Sequence, residues 1–354
     1  MRAPALAIAL LVSLSTLGAA HAEPAAAGAA PLLEKGERLF RQGDTTGAIA
    51  AFEQAAKIDP KDARAPYLRG VALEKKGDTA AAAAAYREAI ARKADFPEAH
   101  NNLGALLLAK GDATHAEAEL TAAVRARSDY AEAQYNLGVA RDGLGETAPA
   151  VAAYKEAVRL KPNDAAYRLN LGAALRRAGD VDGARAALED ATRLAPGDAV
   201  AWADLGMILS DEKLYPDARA ALAKATTLKP DFALAWNRLG RAELRLGHVP
   251  EAVAAGERSR KLDPKNASFA ADLCRALFEQ KEPARAVAAC RAAVELDPQS
   301  PLGRYELTKA LVAQGDCKAA RAESARFKAL ANIKPQAVAQ ADGIVATCKP
   351  PAKQ

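Results

Sequence analysis

Small and apolar side chains return along this chain at a fixed interval of 34 residues. Gly36, Gly70, Gly104, Gly138, Gly172, Gly206 and Gly240 keep that spacing. Leu103, Leu137, Leu171, Leu205, Leu239, Leu273 and Leu307 sit one place earlier, the last two ahead of Cys274 and Thr308. Twelve residues after the glycine position comes an alanine in every interval, from Ala48 through Ala320. Each interval predicts two helices and a turn; in QYNLGVARDGLGETAPAVAAY (134–154) the turn falls near Gly145. A fixed period of this length marks a stacked-repeat architecture.

With the recurring glycine as the eighth residue, units start at 29, 63, 97, 131, 165, 199, 233, 267 and 301 and run without insertion to 334. A glycine inside a helix costs roughly 1 kcal/mol relative to alanine. The expected compensation is close approach of two helices, with the eighth residue meeting the recurrent alanine of the second helix. Pro60, Pro162, Pro196, Pro230, Pro264 and Pro298 close their units, since proline ends a helix and extends the residue before it. Ala94 and Ser128 replace it in two units. Pro149, Pro216, Pro250 and Pro283 fall near the start of second helices, where proline is tolerated. The unit at 233–266 departs most: Glu243 replaces a large apolar residue, and Gly240 faces Gly256 with little between them.

The pattern resembles the tetratricopeptide repeat, W-x2-L-G-x2-Y, then A-x3-F, then P. Trp202 and Trp236 hold the tryptophan position. Phe52, Tyr86 and Tyr154 hold the second-helix aromatic, with Leu120, Leu188 and Leu222 substituting. The resemblance covers nearly all of the chain after its leader. It implies an all-α, right-handed α-solenoid of about nine helix–turn–helix repeats. The segment 335–348 is expected to form a helix covering the last apolar face, because repeat arrays need such a cap.

At the N-terminus, Met1 and Arg2 precede the apolar run ALAIALLVSLSTL (5–17), and Ala20-His21-Ala22 fits a small-x-small cleavage site. Residues 1–22 are therefore read as an export signal, 23–28 as a lead-in and 349–354 as a disordered tail. An uncleaved membrane anchor is the alternative; no other stretch is apolar enough to span a bilayer. The expected location is outside the cytoplasm, and the periplasm if the source is Gram-negative. The formal charge of +5 is too mild for a nucleic-acid binder.

Four cysteines lie in the last quarter: Cys274, Cys290, Cys317 and Cys348. An even number in an exported chain suggests disulfides. Cys274 and Cys290 are the eighth and twenty-fourth residues of their unit, level on antiparallel helices about a turn near the fifteenth. Cys317 begins a second helix and Cys348 ends the antiparallel cap. The expected pairs are Cys274–Cys290 and Cys317–Cys348; the alternative is that cysteine merely fills volume at these positions.

No H-E-x-x-H, G-x-S-x-G, P-loop or C-x-x-C is present. His100, His115 and His248 are scattered and read as surface residues. No catalytic residue, metal or cofactor is expected. In the family resembled, first helices line a peptide-binding concave face with residues two, five, six, nine, twelve and thirteen. That implies roles for Asn102, Asn136 and Asn170 at position six, which either pair with a peptide backbone or only support the fold. Tyr67 and Tyr135 join them at position five. Position nine runs from apolar, with Val139 and Met207, to basic, with Arg241, Arg275 and Lys309, and Arg238 stands nearby. A basic end suits a partner with apolar and acidic segments; a merely solvated face is the alternative. The implied function is a non-enzymatic protein–protein interaction scaffold of the cell envelope. A substrate-presenting subunit of an envelope enzyme, for polysaccharide or peptide, is the other reading.

Overall fold

The computed structural model describes residues 26–349. The expected export signal and residues 350–354 of the expected tail lie outside them. The described residues are helical throughout apart from short connections, and the chain divides after Asp180 into two compact units.

The first unit holds α1 (Ala26–Arg41), α2 (Thr45–Ile58), α3 (Arg64–Lys76), α4 (Thr79–Arg92), α5 (Pro97–Ala109), α6 (Ala113–Ala126), α7 (Ala131–Gly143), α8 (Thr147–Leu160) and α9 (Ala165–Ala178). The second holds α10 (Val181–Leu194), α11 (Ala199–Asp211), α12 (Tyr215–Leu228), α13 (Ala233–Leu246), α14 (Val249–Leu262), α15 (Ala267–Glu279), α16 (Pro283–Leu296), α17 (Pro301–Gln314), α18 (Cys317–Lys328) and the cap α19 (Pro335–Ala346). Within each unit every helix packs on the next, and α5 on α7, α13 on α15 and α17 on α19 show first helices stacking side by side. This is an all-α solenoid arrangement, as the periodicity predicts. Helix α1 begins at Ala26, inside the expected lead-in, because that alanine-rich stretch favours helix.

Each first helix ends one or two places before residue fifteen of its repeat. Gly43, Gly77, Gly111, Gly145, Gly179, Gly247 and Gly315 take φ between 78° and 88° there, a conformation that suits glycine. Lys213 and Lys281 occupy the same position at φ 65° and 63°. In several repeats an aspartate then caps the second helix. Asp44 accepts from the Gly47 N–H at 2.8 Å, Asp78 from Ala81 at 3.0 Å and Asp316 from Ala319 at 3.0 Å.

The recurring glycine does not face the recurring alanine as its main partner. A Cβ on Gly70 would lie 2.6 Å from the Tyr86 ring, one on Gly104 2.6 Å from Leu120, and one on Gly138 2.6 Å from Tyr154. The eighth residue is small so that residue twenty-four of the facing helix can insert its large side chain across the pair. Tyr86, Tyr154, Leu120 and Leu222 are accordingly fully buried. At Gly206 and Gly240 the carbonyl of the recurrent alanine is also close, at 3.2 Å from Ala218 and 3.1 Å from Ala252.

In five repeats residue four links the first helix to the end of the preceding repeat. Trp202 Nε1 donates to the Pro196 carbonyl and Trp236 Nε1 to that of Pro230, each at 3.0 Å. Arg168 and Arg304 reach the Pro162 and Pro298 carbonyls in the same way. His100 holds this position too: its Nε2 lies 2.9 Å from the Ala94 carbonyl and its Nδ1 2.6 Å from Glu119 Oε2. Expected at the surface, His100 is instead buried, because it does the work of the tryptophan. His115 and His248 are exposed as expected.

Both expected disulfides form, with Cα separations of 5.2 Å for Cys274–Cys290 and 5.6 Å for Cys317–Cys348. The first replaces the glycine–aromatic pair of other repeats by a covalent one. No described helix is long and apolar enough to cross a membrane.

Candidate functional site

The sixth residue of the first helix is an inter-repeat strut. Asn136 Nδ2 donates to Asn101 Oδ1 at 3.0 Å, and Asn170 Nδ2 to the Tyr135 hydroxyl at 3.0 Å. Both bonds join residue six of one repeat to residue five of the one before. Asn102 donates to the Tyr86 hydroxyl at 3.4 Å, and that hydroxyl donates to Glu74 at 2.7 Å. Asn136 is buried, while Asn102 and Asn170 are half-buried. These amides have partners within the protein.

The aromatic residues behave alike. Tyr135 is buried, stacked on Tyr167 with centroids 4.7 Å apart and an interplanar angle of 17°. Tyr67 packs against Phe96 at 4.9 Å and Tyr86 at 5.9 Å. Burial, reinforced by Asp164, pushes the Tyr135 hydroxyl up to about 12, so it stays neutral beside Asn170. Val139 is buried as well. Among the residues expected to touch a ligand in this unit, the structure places Tyr67, Tyr135, Asn136 and Val139 inside the packing.

The second unit differs. A cavity of about 290 Å³ opens beside α13, α14 and α15. Gly240, Leu244, Val249, Ala252 and Ala276 form its apolar floor, while Arg241, Arg245, Arg275, Asp272 and Glu279 supply charge. Arg241 and Arg245, one turn apart on α13, are exposed and make no ion pair or hydrogen bond among the described residues. Asp272 accepts from Asn237 Nδ2 at 3.0 Å, again residue six to residue five of the previous repeat. Arg275 is already engaged: its Nε and Nη2 donate to Glu306 Oε1 at 3.1 and 3.0 Å. Lys309 Nζ donates to the other oxygen of the same carboxylate at 3.0 Å. Glu306 is 3% exposed, so a buried carboxylate neutralises part of the basic end that the position-nine series predicts. Arg238 is half-buried and engaged within the fold, and Met207 is half-buried on α11.

Asp272 and Glu306 lie outside the expected position-six row of three asparagines. The signal was present: the same register continues as Asp204, Arg238, Asp272 and Glu306. Position six is therefore an amide in three repeats of the first unit and charged throughout the second.

A tetratricopeptide repeat family profile matches residues 33–100, 75–131, 101–165, 135–199, 203–267 and 257–301. The chain belongs to the tetratricopeptide repeat family, whose members generally serve as protein-interaction scaffolds. No curated protein matches it. Among solved structures, YrrB, a TPR protein with an unusual peptide-binding site, is 25% identical, with 52% of this chain and 95% of YrrB covered and a TM-score of 0.49. The Cut9–Hcn1 hetero-tetramer of the APC/C is 19% identical, with 79% and 55% covered and a TM-score of 0.56. PilF of Pseudomonas aeruginosa is 18% identical, with 60% and 97% covered and a TM-score of 0.53. At these identities the last two share the fold alone.

Proposed function

We propose that this protein is a non-enzymatic interaction scaffold of the cell envelope, and that its working surface is the basic groove over α13 and α15. The observation that carries this reading is the pair of exposed, unpartnered guanidiniums, Arg241 and Arg245, at a cavity with an apolar floor. Two arginines spaced i,i+4 point the same way on a helix, and a guanidinium fork fits a carboxylate. Leu244 and Val249 beside them suit an apolar neighbour of that carboxylate. The ligand class is thus a peptide segment with an acidic residue next to an apolar one. Export is supported by the N-terminal sequence and by the two disulfides, which persist in oxidising compartments.

The test uses the chain from Glu23 onward against a synthetic peptide library. Acidic–apolar peptides are expected to bind, and Arg241→Glu/Arg245→Glu to lower their affinity at least tenfold with an unchanged far-ultraviolet circular dichroism spectrum. Equal affinity in the variant would remove the groove from the account. Fractionation of cells expressing a tagged full chain tests export, with all of the protein in the cytosol as the adverse outcome.

A further inference from the structure

The two disulfides differ in accessibility. Cys274 and Cys290 are each 0% exposed and lie among Leu277, Ala286 and Val287 in the core between α15 and α16. Cys317 and Cys348 are half-buried and reachable. The second bond ties the start of α18 to a residue just beyond α19, across a sequence separation of 31.

Little else holds α19 in place. Of its 12 residues only Ala341 is buried; Ala337, Val338, Ile344 and Val345 form a half-buried stripe. No side chain caps its N-terminus. One ion pair, Lys328 Nζ to Asp342 Oδ1 at 2.7 Å, joins it to α18, between side chains 37% and 54% exposed. Exposed pairs of this kind hold weakly and are screened by salt. A helix of this length is marginal in water once it leaves its packing partners.

We propose that Cys317–Cys348 is a reducible latch on the cap helix, and that Cys274–Cys290 is a permanent staple. A protein or small-molecule dithiol is the reductant. One of its thiolates attacks an accessible sulfur of the latch, breaking the S–S bond and forming a mixed disulfide. The second thiol of the reductant displaces the remaining sulfur. The reductant leaves as a disulfide, and Cys317 and Cys348 gain two electrons and two protons as thiols. Helix α19 then undocks from α17 and α18, while α15 and α16 stay joined by a bond the reductant cannot reach in the folded state. The cap thereby becomes a redox-sensitive cover over the last repeat.

The experiment treats the oxidised chain, from Glu23 onward, with dithiothreitol under native conditions and traps free thiols with iodoacetamide. Peptide mapping is expected to find label on Cys317 and Cys348 while Cys274–Cys290 stays intact. Hydrogen exchange on the same sample is expected to show at least a tenfold loss of protection in 335–346, with protection in 267–296 retained. The variant Cys317→Ser/Cys348→Ser should show the same unprotected cap without reductant. The proposal is overturned if 335–346 keeps its protection once the latch is reduced, or if both disulfides reduce at the same rate.

Discussion

The repeats at 131–164 and 233–266 start with the same small residue at position eight and use it in opposite ways. In the earlier repeat, Gly138 leaves room for the Tyr154 ring, which is fully buried and donates its hydroxyl to Asp142 at 3.3 Å. In the later one the ring is missing, because residue twenty-four is Gly256. The backbones close instead: a Cβ on Gly240 would lie 3.1 Å from the Ala252 carbonyl oxygen, and one on Gly256 3.1 Å from Leu273 of the following helix. The next repeat's leucine thus occupies space that a ring would take, and a cavity remains on the first-helix side. One unit is held by inserted aromatics, whereas the other has a pocket and, one repeat later, a disulfide at the corresponding positions. A glycine at a helix crossing therefore admits either a ring or a backbone, and residue twenty-four decides which.

The largest effect is expected from Tyr154→Ala, at about 3–5 kcal/mol of stability by denaturant unfolding, because it empties a fully buried ring site. A loss below about 1 kcal/mol would mean that the ring does not fill the crossing. Next comes Cys274→Ala/Cys290→Ala, at about 2–4 kcal/mol. The exchange Cys274→Gly/Cys290→Tyr places the glycine–tyrosine pair of the earlier repeats in this repeat and should recover part of that loss. If it recovers nothing, the two crossings are not equivalent. A smaller difference separates two identical substitutions. Gly138→Ala should suffer about 1–3 kcal/mol of overpacking against the ring, offset only in part by roughly 1 kcal/mol of helix propensity. At Gly240 the nearest atom, the Ala252 carbonyl oxygen, is farther away at 3.1 Å, so Gly240→Ala should cost less than Gly138→Ala. Equal melting shifts would contradict the distinction.

The smallest effect is in pH. The hydrogen bond that the His100 ring donates to Glu119 raises its pKa above the ordinary value, against the opposing effect of burial. A raised folded-state value means that the protonated ring stabilises the native protein fully below the unfolded value of about 6.5. That contribution fades as pH rises through the folded value. His100→Gln should flatten the decline of melting temperature above about pH 6.5; an unchanged slope would show that the Glu119 contact is not the cause.

The fold was largely legible in the chain because a period of 34 residues overdetermines it. Helix spans and proline stops follow from register, as does the level placement of Cys274 and Cys290, while the Cys317–Cys348 pair follows from the antiparallel cap. What register could not reveal was which face-to-face residue each glycine serves. Positions twenty and twenty-four lie one helical turn apart, and only the packing shows that the side chain at twenty-four crosses the gap. The burial of His100 was equally hidden, since a histidine at the tryptophan position looks like a lone polar residue until the Ala94 carbonyl appears beside it. The candidate site was half legible. Arg241 and Arg275 stood out as a basic trend, but neutralisation of Arg275 by Glu306 depends on contact across repeats. Asn102 and Asn170 lie where the asparagine row predicted, yet their amides are directed to Tyr86 and Tyr135.

Lys213 and Lys281 carry a separate lesson for anyone modifying this protein. At seven equivalent hairpins the left-handed residue is glycine; at these two a side chain endures a geometry that disfavours it by roughly 1–2 kcal/mol. Lys213→Gly and Lys281→Gly should therefore raise the melting temperature above that of the natural sequence. Because both lysines are exposed, either change leaves the packed interior untouched.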